Sequence, residues 1–214
     1  MIFPLKTPEF LKKCVSGCVW DIVTDKKEIF LTFDDGPIPE MTPFVLDLLD
    51  RHSAKATFFW VGENVRRYPH IAREVVARGH SIGNHTYNHL KGWETANDRY
   101  LENIDLCDKA IEEVTGVRTK LFRPPHGRIK PSQLKAVLPD RRVVMWDVLT
   151  ADYDASLSSA KCLKKSCRIT DAGSLVVFHD SLKARKNLLK VLPAYMKFFK
   201  NKGFCFSALP CWCN

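Results

Sequence analysis

Two carboxylates, Asp34 and Asp35, stand side by side in LTFDDGPIPE, where an apolar run gives way to glycine and proline. Two imidazoles, His85 and His89, stand four apart in HTYNH. On a helical turn that spacing puts both rings on one side, close enough to share a metal ion. With a carboxylate from another strand end the set becomes two His and one Asp, and three ligands leave positions open for water and substrate. A carboxylate bound to a cation loses basicity and cannot also collect the proton of an attacking water. Asp35 as ligand and Asp34 as base would divide those two jobs. Taken alone, HTYNH also fits surface or core histidines, and DDGP also fits an ordinary turn with helix-capping carboxylates.

The elements that must position these groups are apolar runs alternating with helix-period segments. Seven runs read as strands, at 28–33, 56–61, 80–84, 120–124, 142–148, 174–180 and 204–209. Helices are expected near 41–52, 64–78, 95–115, 131–138, 157–168 and 186–201, with Gly79 and Gly116 as stops and Pro131 in a first turn. Parallel strands need crossovers and a helix is the usual one, so the alternation predicts a parallel α/β fold, either a doubly wound sheet or a barrel. The reactive residues then fall at strand C-terminal ends: Asp34 and Asp35 after the first, His85 and His89 after the third, Arg123 after the fourth, Asp152 after the fifth and His179 at the sixth. In parallel α/β folds that edge is where sites are built.

With 45% hydrophobic residues in 214, the chain can bury a core as one domain, and nothing in its composition suggests disorder. The net charge of +9 favours encounter with anionic polymers, but the excess lysines are spread through helical segments, which reads as a solvated face. Eight cysteines, two of them in Cys211-Trp212-Cys213, show no CxxC pair or zinc spacing that would assign them; free thiols in a reducing compartment are the favoured reading and disulfide bridges the other. Pro4, Lys6, Pro8, Glu9, Lys12 and Lys13 interrupt any apolar leader, and no stretch approaches the roughly 20 apolar residues that span a bilayer. The expectation is a soluble chain, its compartment open between cytoplasm and cell envelope.

Thr32-Phe33-Asp34-Asp35-Gly36-Pro37, His85-Thr86-Tyr87-Asn88-His89, Arg123-Pro124-Pro125-His126-Gly127 and Val177-Phe178-His179 together resemble the ordered motifs of the polysaccharide deacetylases, the NodB-homology domain of carbohydrate esterase family four. The resemblance runs from about residue 28 to 209. It implies a distorted (β/α)7 barrel, in agreement with the seven strands, with 1–27 as an N-terminal extension, 28–209 as the catalytic domain and 210–214 as a tail. It also implies metal-dependent removal of acetyl groups from N-acetylated sugars of chitin-like or peptidoglycan-like polymers, or from O-acetylated xylan. The expected partner is thus an acetylated carbohydrate and not nucleic acid.

Carried over position by position, the resemblance makes Asp35, His85 and His89 the metal ligands and Asp34 the general base. The expected ion is divalent, zinc foremost, with cobalt or nickel as alternatives; it would polarise the acetyl carbonyl and lower the pKa of water towards about 7. A backbone N–H in the Arg123–Gly127 loop, that of His126 by family analogy, would help hold the oxyanion. Arg123 fits a role orienting Asp34, with a surface arginine as the other reading. His179 fits a general acid, or equally a hydrogen-bonded core histidine. Asp152 would hold its ring; Asp147 is the rival, and the family's fourth motif favours Asp152. Three positions depart from the family pattern: Tyr153 where tryptophan is usual, Val177 where leucine is usual, and His126 where tyrosine is common. In the family they line the acetyl and sugar pocket. Trp60, Trp93 and Tyr87 could stack on sugar rings, although Trp60 on its apolar strand reads as core. A catalytically silent sugar-binding protein and a phosphodiesterase-like metal hydrolase are the rival functions.

Overall fold

The computed structural model describes residues 5–210, and the strands among them form one sheet whose ladders are all parallel. In chain order they are β1 (Cys18–Val19), β2 (Glu28–Asp34), β3 (Thr57–Trp60), β4 (Ser81–Asn84), β5 (Leu121–Phe122), β6 (Arg142–Val144), β7 (Val148–Leu149), β8 (Leu175–His179) and β9 (Cys205–Ser207). Helices α1 (Glu9–Cys14), α2 (Met41–Arg51), α3 (Gly62–Arg67), α4 (Pro69–Ala77), α5 (Asn97–Thr115), α6 (Pro131–Val137), α7 (Ser159–Ile169) and α8 (Arg185–Asn201) make the crossovers and the N-terminal arm. The spatial order is β1-β6-β5-β4-β3-β2-β8-β7, with β9 beside β2.

The run RVVMWDV, expected as one strand, changes neighbours midway. Its start pairs with β5 (Leu121 with Arg142) and its end with β8 (Val148 with Val176). Segment 142–149 therefore closes the curled sheet between β5 and β8, which makes the structure a distorted barrel in a single domain. The helix expected at 64–78 is likewise two helices: Pro69 lacks an N–H and fixes its own φ, so α3 ends at Arg67 and α4 starts anew at the proline. The short elements α1 and β1 were not legible. β1 adds to β6 in parallel, and Lys6 and Lys12 of the arm reach the Asp147 carboxylate at 2.7 and 2.9 Å.

Period-two alternation decides which side chains enter the barrel. On β2, Ile29, Leu31 and Phe33 pack into the large cluster against the helices, while Phe30 joins an inner cluster with Phe59, Leu121, Val144 and Leu175. Thr32 and Asp34 share the Phe30 side and meet Arg123 there. On β8, Val176 and Phe178 go to the helix side, so Leu175, Val177 and His179 face the other way. The base and acid candidates thus share one side of neighbouring strands, with Asp34 directly beside His179 in the ladder.

The six described cysteines are free; Cys211 and Cys213 lie outside the described residues. No described helix is long and apolar enough to cross a membrane.

Candidate active site

Arg123 organises the interior. It is fully buried, and its planar fork meets four acceptors: Nε donates to Val144 O at 3.1 Å, Nη1 to Thr32 Oγ1 at 2.8 Å and to Asp34 Oδ1 at 2.6 Å, and Nη2 to Met145 O at 2.9 Å. The guanidinium also lies 4.1 Å over the Phe59 ring. Gly83 makes room in this layer, since a Cβ there would come within 2.5 Å of Phe59. A buried arginine is tolerated only when paired and hydrogen-bonded, and Asp34, itself buried, is its ion-pair partner.

Asp35 diverges from its neighbour because the chain turns there into the left-handed region, with φ 81°. Its Oδ1 faces His89 Nε2 at 3.3 Å and His85 Nε2 at 3.9 Å. One ligand atom from each of Asp35, His85 and His89 can be chosen so that all lie within 4.8 Å of one another. The donor chemistry suits a cation. His85 Nδ1 sits 2.7 Å from Arg123 O, a carbonyl that can only accept, so Nδ1 carries the proton and Nε2 turns its lone pair to Asp35 and His89. Burial is the main force pushing the His85 pKa down to about 4, so the ring is neutral at pH 7 and able to ligate. Burial works the other way on Asp35, but the bond to His89 and the charge of His179 hold it well below the usual carboxylate range.

HTYNH does bring both rings to one side, with centroids 5.1 Å apart, yet not on a helical turn. Thr86 and His89 take φ 65° and 59°, which no helix accommodates. Side-chain amides replace the helical bonds: Thr86 N–H donates to Asn84 Oδ1 at 2.7 Å and Tyr87 N–H to Asn103 Oδ1 at 2.9 Å. Asp35, Thr86, His89, His126 and Ala151 are all left-handed without being glycine, and all lie in loops after barrel strands. Such conformations cost about 1–3 kcal/mol each and gather where geometry is dictated by function.

His179 Nδ1 lies 2.8 Å from Asp152 Oδ1, and its backbone N–H donates to Asp152 Oδ2 at 2.9 Å. Burial opposes the imidazolium, but the charge and hydrogen bond of Asp152, with Asp35 and Asp34 behind them, raise the pKa to about 9. Asp147 is elsewhere engaged, by Lys6, Lys12 and by Ser174 Oγ at 2.6 Å. The Tyr153 ring meets His179 edge-on at 4.9 Å. Val177 is buried with Met145, Trp146 and Leu149. His126, at φ 56°, sets its ring edge-on to His89 at 4.7 Å. The bonds closing its loop run from Gly127 N–H to Pro124 O and from Arg128 N–H to Pro125 O. Trp60 is core, whereas Trp93 is half-exposed.

Asp180 escaped the sequence reading. Fully buried, it accepts from Gly36 N–H at 3.1 Å and from the Thr42 hydroxyl, and its own N–H donates to Asp34 O at 3.2 Å. It clasps the Asp35 turn against β8; a Cβ on Gly36 would strike its carboxylate. Burial, and next after the opposing Thr42 bond the Asp35 charge, raise its pKa to about 7. The available signal was a second acid directly after a strand-terminal histidine, in Phe178-His179-Asp180.

Residues 21–138 match the family description "Polysaccharide deacetylase". The chain belongs to the polysaccharide deacetylase family. Family members are metal-dependent hydrolases that remove acetyl groups from carbohydrates, and this chain is an enzyme of that class. It is 35% identical over 192 residues to a peptidoglycan-N-acetylglucosamine deacetylase of Bacillus cereus, covering 87% of this chain and 68% of that relative. It is 30% identical over 209 residues to a chitooligosaccharide deacetylase of Azorhizobium caulinodans, covering 92% and 99%. The fold is similar, at TM-score 0.87 and 32% identity over 95% of each chain, to a crystal structure of a peptidoglycan N-acetylglucosamine deacetylase bound to 4-naphthalen-1-yl-N-oxidanyl-benzamide.

Proposed function

We propose that this deacetylase hydrolyses the acetamide of an N-acetylated sugar within a glycan, with Asp34 as general base, His179 as general acid, and Asp35, His85 and His89 holding a divalent cation, zinc foremost. The observation that carries this reading is the division of the adjacent aspartates: Arg123 occupies Asp34, while Asp35 is turned to two imidazoles. A cation held by Asp35, His85 and His89 supplies polarisation of the acetyl carbonyl and favours deprotonation of water. Asp34 keeps Oδ1 on Arg123 and has Oδ2 on the side of His85 Nε2, 3.9 Å away; that oxygen takes the proton as water adds to the carbonyl carbon. The His126 N–H contributes to holding the oxyanion. His179, its Nδ1–H held by Asp152, passes the Nε2 proton to the departing nitrogen as the C–N bond breaks, leaving acetate and a free amino sugar.

Acetate release from chito-oligosaccharides, peptidoglycan fragments and acetylated xylan, with phosphodiesters as controls, tests the reading. Turnover of an N-acetylated glycan is expected. Phosphodiester cleavage without acetate, or no reaction at all, would favour the rival hydrolase or the silent sugar binder. His89→Ala is expected to lower metal content at equilibrium, measured by elemental analysis after dialysis against buffered metal; unchanged stoichiometry would remove His89 from the ligand set.

The His179–Asp152 pair sets a pH dependence. With Asp152 holding the acid above the ordinary histidine value, the alkaline limb of kcat/KM should fall above pH 6.5, and Asp152→Asn should move it towards neutrality by about one unit or more. In the metal-free protein the same raised pKa stabilises the fold below the ordinary histidine value of 6.5, and that contribution is lost as pH rises through about 9. A limb that stays in place in Asp152→Asn would separate Asp152 from the acid.

A further inference from the structure

We propose that the outer faces of α7 and α8 form a docking surface for an anionic lipid bilayer, which would hold the mouth of the barrel beside a membrane.

Charge is distributed unevenly in this chain. Residues 155–205 carry eleven lysines and arginines against Asp171 and Asp180, a net +9 that equals the charge of the whole protein, so the other residues sum to zero. Cations that look scattered along the sequence are gathered by the fold. At 3.6 residues per turn Lys161, Lys165 and Arg168 fall within about 60° of one another on α7, and Lys186, Lys190 and Lys197 within about 40° on α8. All six are exposed, with Cys162 and Ser166 of α7 and Leu188 and Tyr195 of α8 buried behind them. The two helices are locked side by side: Ser159 Oγ donates to Asn187 Oδ1 at 2.8 Å near their starts, and Tyr195 OH to Thr170 Oγ1 at 2.9 Å just past the end of α7. The two crests thus make one rigid platform about 25 Å long, the length of α8.

Little of this charge is compensated within the protein. Among the described residues one ion pair reaches it, Arg185 with Glu40 at 3.5 Å, and both partners are exposed. Like charges gathered on one face repel one another, and an anionic counter-surface relieves that repulsion.

The apolar component selects a bilayer over a soluble polyanion. Leu182, just before α8, and Leu189 and Phe198 on it are 64%, 37% and 37% exposed among the cations, and Lys202 Nζ sits 4.3 Å over the Phe198 ring. A phosphate polymer offers Leu182 and Leu189 no apolar medium, whereas the boundary between headgroups and acyl chains accepts apolar side chains and lysines together. Nine of the eleven cations are lysines, whose compact charges on flexible stems suit a fluid layer of headgroups better than one fixed phosphate geometry.

The platform ends at the reaction centre. Leu182 and Lys183 follow His179 by three and four residues, and Lys183 Nζ lies 5.1 Å over the Tyr153 ring that meets His179 edge-on. A bilayer lying along α7 and α8 would therefore run past the barrel mouth.

The test is partition of the full chain onto sedimented vesicles, made of phosphatidylcholine alone or mixed with phosphatidylglycerol. Partition onto the anionic vesicles is expected to exceed that onto neutral ones by about 100-fold at about 0.1 M salt and to fall as salt rises. Lys186→Gln, Lys190→Gln and Lys197→Gln should each lower it about five-fold, the effect of one cation beside an anionic leaflet. Leu189→Ser combined with Phe198→Ser should lower it by about five-fold even at about 0.5 M salt, where charge is screened. Equal partition onto neutral and anionic vesicles, or partition that the lysine variants leave unchanged, would overturn the docking surface. A short DNA duplex bound as tightly as the vesicles, with the serine pair without effect, would also overturn it and assign the face to soluble polyanions. Chitotetraose turnover in solution, expected at the wild-type rate in each variant, is read separately, so failure here is distinguishable from failure of the deacetylase reading.

Discussion

Asp34→Asn is expected to lower kcat for acetate release by about 10²–10⁴-fold while leaving one cation bound per chain. The amide is nearly isosteric with the carboxylate, and its oxygen can still accept from Arg123 Nη1, so the buried pair is altered without a cavity. Lost is the ability to take a proton. The cation ligands proposed above, Asp35, His85 and His89, are untouched, so metal content separates loss of the base from loss of the site. Initial rates at saturating glycan together with elemental analysis of the dialysed variant provide the check. A variant retaining a tenth or more of the wild-type kcat would exclude Asp34 as the base.

The second large effect concerns stability. Arg123→Leu removes the cation from a pair in which both side chains are almost wholly buried, and it also strips the carbonyls of Val144 and Met145 of their donor. Breaking a buried pair from one side costs about 3–5 kcal/mol, mainly because the remaining charge is left without compensation. Arg123→Lys should lose less, since a point charge can still meet Asp34 but cannot serve four acceptors at once. Denaturant unfolding should show a lower midpoint with an unchanged slope. A loss under about 1 kcal/mol for Arg123→Leu would mean that Asp34 does not depend on the guanidinium.

Much of this arrangement was legible in the sequence because apolar runs end in reactive groups. Buried parallel strands read as continuous hydrophobic segments, so the ends of β2, β4 and β8 could be located, and with them Asp34, His85 and His179. Alternation could also have placed Asp34 and His179 inside, but only once the neighbouring strands were known to be β2 and β8. Contacts between residues far apart in the chain were out of reach. Whether Asp147 or Asp152 meets His179 depends on segment 142–149 changing neighbours midway, and on an N-terminal arm whose lysines engage Asp147. The geometry of HTYNH was misread because its spacing mimics a helix, whereas Asn84 and Asn103 supply the acceptors that let the backbone turn left-handed. Asp180 was missed because its one signal, an acid directly after a strand-terminal histidine, does not reveal the contacts with Gly36 and Thr42, far off in the chain, by which it clasps the turn.

Metal titration of the chelator-stripped protein, with acetate release from an N-acetylated glycan as readout, tests the central claim most directly. The account predicts no turnover in the stripped protein and a rate that rises linearly to a plateau at one divalent ion per chain. Full turnover without added metal, or a plateau without acetate, would contradict it.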